Sequence, residues 1–280
     1  MPELPEVETV RRQLEPGLSG RTITAISVDK GPRYGDVAAA VGQTVLRLER
    51  RGKYLLADLG ASTLVVHLGM SGRLALLPAG ATPDRFVRAR FTLDDGQELV
   101  FSDMRRFGTL GILDKGAVPP WDTLRTMGPE PFSEAFTADA LHTALRHGRR
   151  TLKAQLLSQR PVAGLGNIYV DEVLHRAGLH PRQRNPDKPA TLRLHRAIVD
   201  VLSAAVAARG TTFQLYRDGH GGAGDFYREL RVFDRAGLPC QACGTTIVKE
   251  QLEGRGTHWC PGCQPAPRKA SGRQGRRGVS

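Results

Sequence analysis

Cys240-Gln-Ala-Cys243, followed after sixteen residues by Cys260-Pro-Gly-Cys263, uses every cysteine in the chain and decides how its C-terminal end folds. Two C-x-x-C pairs at this distance match a four-thiolate zinc spacing, because each pair can turn two sulfurs onto one tetrahedral ion. The stretch between them, Gly244 to Trp259, has the length of a β-hairpin and carries Arg255. Four protein ligands leave zinc no open position for water, so the expected metal is one structural Zn2+ and not a catalytic one.

Upstream of this ribbon the periodicity is helical. Thr137 suits the cap of a helix ending near His147, Lys153 to Gln159 lies in a second, Asn167 to Arg176 forms a third stopped by Gly178 and Pro181, and Thr191 to Arg209 makes a long fourth before Gly210. Pro119, Pro120, Gly128, Pro129 and Pro131 break both periodicities and mark an interdomain connection. Before it, from Thr22 to about Leu113, apolar residues alternate as in strands. At the very start Val7, Val10 and Leu14 recur at helical spacing, with Pro5 suited to a first turn and Glu6 and Glu8 to its dipole.

The expected class is therefore α+β. Residues 1–115 form an N-terminal domain, 116–132 a linker, 133–235 a helical domain, 236–264 the zinc finger and 265–280 a basic tail. The net charge is +12, and an excess of that size favours a polyanionic partner, foremost nucleic acid. Five of the twelve charges, Arg268, Lys269, Arg273, Arg276 and Arg277, sit on the tail, so the remaining seven belong to folded surface. With 40% apolar and 24% charged residues, no apolar run of membrane-spanning length and no basic, apolar leader, the expectation is a soluble cytoplasmic protein.

Five strings, in order, resemble one family. Met1-Pro-Glu-Leu-Pro-Glu-Val-Glu8, His67-Leu-Gly-Met-Ser-Gly72, Asp103-Met-Arg-Arg-Phe-Gly108, Gly164-Leu-Gly-Asn-Ile-Tyr169 and the four-cysteine ribbon together are similar to the bacterial formamidopyrimidine-DNA glycosylases, from Pro2 to about Gln264. The resemblance implies an N-terminal β-sandwich with a leading helix, then a helix-two-turn-helix bundle ending in a zinc-finger hairpin. It also implies a monomer that acts on double-stranded DNA containing an oxidised base.

By the same resemblance Pro2 is the nucleophile. Its secondary amine, exposed once Met1 is removed, attacks sugar C1′, and Glu3 acts as general acid with Glu6 supporting it one turn further on. Lys53 matches the lysine assigned to β-elimination, and Arg255 the zinc-finger arginine assigned to δ-elimination. Met70, Arg105 and Phe107 match the residues that fill the space left by a flipped nucleotide, a vacancy every base-flipping enzyme must close. Asn167 and Lys153 are implied phosphate contacts. The Gly164-Leu-Gly-Asn167 run lacks the preceding strand and third glycine of a dinucleotide loop, and is read as glycines that let a DNA backbone approach a helix N-terminus with free amides.

Three departures qualify the likeness. Phe86 stands where the family has a phosphate-binding histidine, leaving Arg85 or Arg88 as substitutes, and Gly148 stands where it has a lysine, with Arg149 following. Asp218 to Phe226, rich in glycine, replaces the usual wording of the loop over the flipped base. The implied activity is a bifunctional glycosylase and abasic-site lyase for 8-oxoguanine opposite cytosine and for formamidopyrimidines. The alternatives are an endonuclease VIII-like enzyme for oxidised pyrimidines, against which Leu4 speaks, and a non-catalytic DNA-binding zinc protein, against which the joint presence of Pro2, Glu3, Lys53 and Arg255 speaks.

Overall fold

The alternation between Thr22 and Leu113 takes shape as eight antiparallel strands. A computed structural model describes residues 2–82, 84–211 and 222–267. The strands are β1 (Ile23–Val28), β2 (Arg47–Arg51), β3 (Tyr54–Asp58), β4 (Ser62–His67), β5 (Gly72–Leu77), β6 (Val87–Leu93), β7 (Glu98–Asp103) and β8 (Thr109–Asp114). They form two four-stranded sheets, β1-β6-β7-β5 and β2-β3-β4-β8. Leu48, Leu55 and Leu64 from one sheet share a single core with Leu74, Phe91 and Phe101 from the other, which makes the pair a sandwich.

The leading helix, α1 (Leu4–Leu18), completes that core with Val7, Val10, Leu14 and Leu18, each about 1% exposed or less. Pro5 fits its first turn, where no amide partner is lost, and the backbone N–H of Glu3 donates to the Glu6 carboxylate at 2.8 Å. Leu4 belongs elsewhere: it packs into the helical core with Leu156, Leu165, Tyr169 and Leu194. The end of α1 that bears Pro2 is thereby buried between the two cores.

The stretch 116–132, expected from sequence to be a linker, contains one short helix, α2 (Asp122–Arg125), which the proline content did not foretell. It is tied to the turn joining β2 and β3. Glu130 accepts from the Gly52 N–H at 2.6 Å and from Arg50 and Arg51 at 2.6 and 3.0 Å, while Arg51 donates to the carbonyls of Met127 and Gly128. Lys53 follows directly on that clamped turn.

Four helices follow: α3 (Ala138–Leu145), α4 (Leu152–Leu157), α5 (Asn167–Ala177) and α6 (Lys188–Ala207). Thr137 caps α3 by accepting from the Ala140 N–H, and Gly178, at φ 67°, closes α5 in the left-handed conformation. Two ends differ from expectation. α6 begins three residues before Thr191, because Asp187 caps it and Pro189 is tolerated in a first turn. α4 ends before Gln159, whose φ of 64° is incompatible with continuing the helix. The hairpin β9 (Val248–Leu252) and β10 (Arg255–Trp259) then pairs in register from Val248 to Trp259. Val232, Ile247, Cys240 and Cys260 form a third small core beneath it. No helix among the described residues is long and apolar enough to cross a membrane.

Candidate active site and nucleic-acid interface

The site begins where α1 meets α5. Pro2 is buried, and Glu3, 1% exposed, directs its carboxylate at the amino end of α5, accepting from the N–H groups of Gly166 (2.5 Å), Ile168 (2.9 Å) and Tyr169 (3.4 Å). The helix dipole and unpaired amides of that end favour an anion there. This corrects the expectation for the Gly164-Leu-Gly-Asn167 run. A Cβ on Gly164 would collide with Leu4 and one on Gly166 with Glu3, so these glycines admit the chain's own terminus. The amides read as free for phosphate are occupied by Glu3.

Glu6 lies alongside, 1% exposed. It accepts from the Tyr169 hydroxyl at 2.6 Å and from the Thr211 N–H at 2.7 Å. Burial pushes the Glu3 carboxyl up to about 7, opposed first by the charge of Lys53. Burial likewise raises Glu6, against the donors Tyr169 and Thr211. Lys53 is itself buried, which lowers its ammonium pKa, while Glu3 and Glu6 pull it up and Arg255 pushes it down. Four groups from three parts of the chain thus share one electrostatic field: two acids on α1, a lysine on the β2–β3 turn and an arginine on the zinc hairpin. Tyr169 and Thr211 carry no sequence signal for this role, which is visible only in contact with Glu6; Tyr169 at least ends one of the five quoted strings.

A second cluster projects from two turns of the sandwich. Met70 lies between β4 and β5, and Arg105 and Phe107 between β7 and β8. Met70 and Phe107 are 40% and 41% exposed, with Met104 beside them at 43%. The Arg105 guanidinium stands 4.9 Å from the centre of the Phe107 ring. Asp103, fully buried, holds both turns: it accepts from the Ser71 hydroxyl (2.5 Å), the Gly108 N–H (2.7 Å) and the Arg105 N–H (3.2 Å). Large exposed apolar side chains fixed by a buried carboxylate are a surface prepared for contact.

The remaining basic residues divide by environment. Arg85 is exposed, its guanidinium 4.8 Å from the Phe86 ring centre, whereas Arg88 is turned inward onto the Asp103 carbonyl (2.9 Å) and Asp29 (3.3 Å). Arg149 and Arg255 are exposed. A Cβ at the neighbouring Gly148 would meet the amide end of the Gln155 side chain, so a lysine there would require that side chain to move. Lys153 is 1% exposed, its ammonium bound to Asp171 at 2.7 Å and to the Gly256 carbonyl at 3.1 Å. The Asn167 side chain donates to the same carbonyl at 3.0 Å. Of the divergent loop, residues 218–221 lie outside the described residues, as do Met1 and the tail from 268.

The thiols of Cys240, Cys243, Cys260 and Cys263 all lie within 4.8 Å of one another, with Sγ pairs at 3.8 and 3.3 Å. Tetrahedral zinc with Zn–S bonds of about 2.3 Å needs sulfurs roughly 3.8 Å apart, so the four side chains fit the metal. The site is a closed, structural zinc centre.

Comparison with known proteins agrees with this geometry. Residues 1–110 match the family model of the formamidopyrimidine-DNA glycosylase N-terminal domain, 127–217 that of its H2TH domain, and 237–266 that of the zinc finger found in FPG and IleRS. Formamidopyrimidine-DNA glycosylase of Symbiobacterium thermophilum is 47% identical over 100% of this chain and 96% of its own length. That of Deinococcus radiodurans is 45% identical over 95% and 98%. Among solved structures, the MutM (FPG) protein of Thermus thermophilus superposes with a TM-score of 0.88 at 42% identity, covering 94% of this chain and 98% of that one. A Lactococcus lactis FPG mutant in complex with Fapy-dG containing DNA gives 0.87 at 36%, covering 95% and 100%. With three family models placed end to end on a sandwich, a helical bundle and a zinc hairpin, the chain belongs to the formamidopyrimidine-DNA glycosylase family of DNA-repair enzymes.

Proposed function

We propose that the chain, once Met1 is removed, is a bifunctional DNA glycosylase and abasic-site lyase. Its substrates are oxidised purines in duplex DNA, 8-oxoguanine opposite cytosine and formamidopyrimidines. The observation that carries the reading is the convergence of the Pro2-Glu3 terminus with Lys53: an N-terminal secondary amine beside a buried acid pushed up to about 7 and a lysine whose pKa burial lowers. An α-amino group titrates near 8, so a useful free-base fraction exists at neutral pH.

The Pro2 nitrogen forms a bond to C1′ as the C1′–base bond breaks, and the departing base takes the electron pair. Glu3, protonated near neutrality, supplies a proton to the sugar or base in that step. The bonded nitrogen loses its proton, and its lone pair then breaks the C1′–O4′ bond as O4′ leaves with the electron pair and takes up a proton; the resulting iminium acidifies C2′. Loss of the C2′ proton, with Lys53 as acceptor in the amine form that its burial favours, forms the C2′–C3′ double bond and expels the 3′ phosphate with its electron pair. Loss of the C4′ proton then breaks the C5′–O bond, and Arg255 assists departure of the 5′ phosphate. Met70 and Phe107 fill the vacated stack and Arg105 hydrogen-bonds the orphaned cytosine, offsetting the few kcal/mol of unstacking. Arg85, Arg149 and Asn167 contact phosphate. Arg88 and Lys153, enclosed by acids, serve the same surface by holding its loops.

Borohydride trapping tests the reading. Processed protein incubated with duplexes carrying single lesions should yield a covalent adduct with 8-oxoguanine and with an abasic site. No adduct with either ends the proposal, and preferential trapping on oxidised pyrimidines would move the chain to the endonuclease VIII-like branch.

A further inference from the structure

Lys153 and its partners form a buried network directly behind the Arg255 turn. Asp171, fully buried in the middle of α5, accepts from three sources: the Lys153 ammonium on α4 at 2.7 Å, the His258 backbone N–H on β10 at 2.8 Å, and the His258 ring Nδ1 at 3.3 Å. Lys153 then reaches past Asp171 to the Gly256 carbonyl, which also receives the Asn167 amide. Gly256 directly follows Arg255. The backbone on the C-terminal side of Arg255 is therefore held at residues 256 and 258 by one buried ion pair and its neighbours, while the guanidinium itself stays exposed.

A buried ion pair contributes little net stability compared with an apolar replacement, and its defensible use is to fix one arrangement among several. Here the arrangement fixed is the angle of the zinc hairpin against α4 and α5. The zinc centre cannot do this alone: its four ligands lie within residues 240–263 and so tie the ribbon to itself. We propose that Asp171 is a positioning residue that sets Arg255 over the reacting sugar through Lys153, Gly256 and His258, so that it governs the second elimination and not the first. The inference rests on the reading of Arg255 as the δ-elimination residue.

A structural prop would lower every step together, whereas a positioning residue changes the ratio of products. The test uses the full-length zinc-loaded protein and a preformed abasic duplex, comparing wild type with Asp171→Asn, Asp171→Ser and, as control, Arg255→Ala. Both Asp171 variants should trap with borohydride within about two-fold of wild type, yet yield a β,δ-product fraction reduced about ten-fold. Hydrogen exchange at residues 255–259 should accelerate in both, with α1 unchanged and zinc content intact. If Arg255→Ala leaves the β to β,δ ratio unaltered, the reading of Arg255 fails. If that control shifts the ratio but neither Asp171 variant does, the positioning role fails. Should the variants prove too unstable to assay, exchange at 255–259 that rises only in step with the rest of the chain overturns it equally.

Discussion

The carboxylate of Glu3 accepts the backbone N–H of Ile168 at 2.9 Å, a bond between residues 165 apart in sequence. It joins the end of α1 to the beginning of α5, so the acid and the neighbouring amine take their positions only when both domains are in place. Burial without full charge compensation pushes this acid up to about 7, with Lys53 pulling against it. The folded chain therefore holds a proton on Glu3 up to about pH 7 that an ordinary glutamate releases near 4.5. With Glu3 as the proposed acid, base excision needs its protonated form, so single-turnover excision should fall about ten-fold per pH unit above about 7. Lyase action on a preformed abasic site, which has no base to expel, should lack that limb. Glu3→Gln should slow excision about 10² to 10⁴-fold while leaving borohydride trapping at an abasic site. A shared alkaline limb for both substrates would remove Glu3 from the acid role.

Much of this is legible in sequence because it rests on local signals. The zinc ribbon follows from cysteine spacing alone and the strands of the N-terminal half from period-2 alternation, whereas their arrangement as a sandwich comes only with the family resemblance. Contacts between distant residues cannot be read this way. Nothing in Gly164-Leu-Gly-Asn167 says that its glycines make room for Leu4 and Glu3 and not for DNA, because that depends on where α1 docks. Lys153 looks like any helix-surface cation until Asp171, eighteen residues on, is seen beside it. Arg85 and Arg88 are interchangeable in sequence, and only burial separates them. Asp103 sits inside a quoted motif, yet the arginines and phenylalanine beside it carry the more obvious chemistry, and its hold on two turns shows only in three dimensions.

Glu8 supplies an acid-stability prediction. Burial raises its pKa, but hydrogen bonds from Arg11, Arg12 and Arg50 outweigh this and hold it at about 2. Its side chain is 12% exposed, so screening is limited. A depressed carboxylate stabilises the fold above its unfolded pKa, and that contribution disappears as pH falls from about 4.5 toward 2. Glu8→Gln should lower unfolding free energy at pH 7 by about 2–3 kcal/mol, with the two proteins converging below about pH 2. Urea titrations at pH 7, 4 and 2.5 check this, and a pH-independent difference would mean the loss is one of packing.

Zinc removal should act on the hairpin and spare the sandwich. Because the four thiolates close the ribbon and the apolar core beneath it among the described residues is small, Val232 and Ile247 with Cys240 and Cys260, much of the hairpin's folding energy is the metal's binding energy. Chelation, or Cys260→Ser, should abolish protection of β10 amides and reduce trapping on duplex abasic DNA more than ten-fold. The strands between Ile23 and Asp114 should keep their circular-dichroism signal. Loss of both together would show that the ribbon holds up the whole fold.

Gly69 tests the surface proposed to enter the duplex. Its φ is 60°, and an added Cβ would lie 2.5 Å from the carbonyl carbon of Phe107. Gly69→Ala should therefore displace the Phe107 turn while leaving Pro2, Glu3 and Lys53 untouched, at a stability cost of about 1–2 kcal/mol. Excision from duplex DNA should drop at least ten-fold, whereas cleavage at an abasic site in single-stranded DNA, which has no stack to refill, should change less than about two-fold. Equal losses on both substrates would place the defect in the chemistry and not in the wedge.

Arg85 and Arg88 give a final discrimination, because they are three residues apart and matched in charge but opposite in environment. Each phosphate contact releases condensed counterions and adds about 0.9 to the slope of log affinity against log salt. Arg85 is exposed, so Arg85→Ala should flatten that slope by about one unit with little change in melting temperature. Arg88 commits its guanidinium to Asp29 and the Asp103 carbonyl. Arg88→Ala should keep the slope but loosen the backbone of Asp103, the residue that holds both the Met70 and the Phe107 turns. Its signature is then weaker discrimination of the base opposite the lesion, together with a destabilisation of about 1–3 kcal/mol from the acceptors left unpaired. Fluorescence anisotropy across a salt series, paired with excision rates opposite cytosine and adenine, separates the two. If Arg88→Ala flattens the salt slope as Arg85→Ala does, the inward-turned arginine swings out to meet phosphate, and its placement on Asp103 is a resting state of the free enzyme.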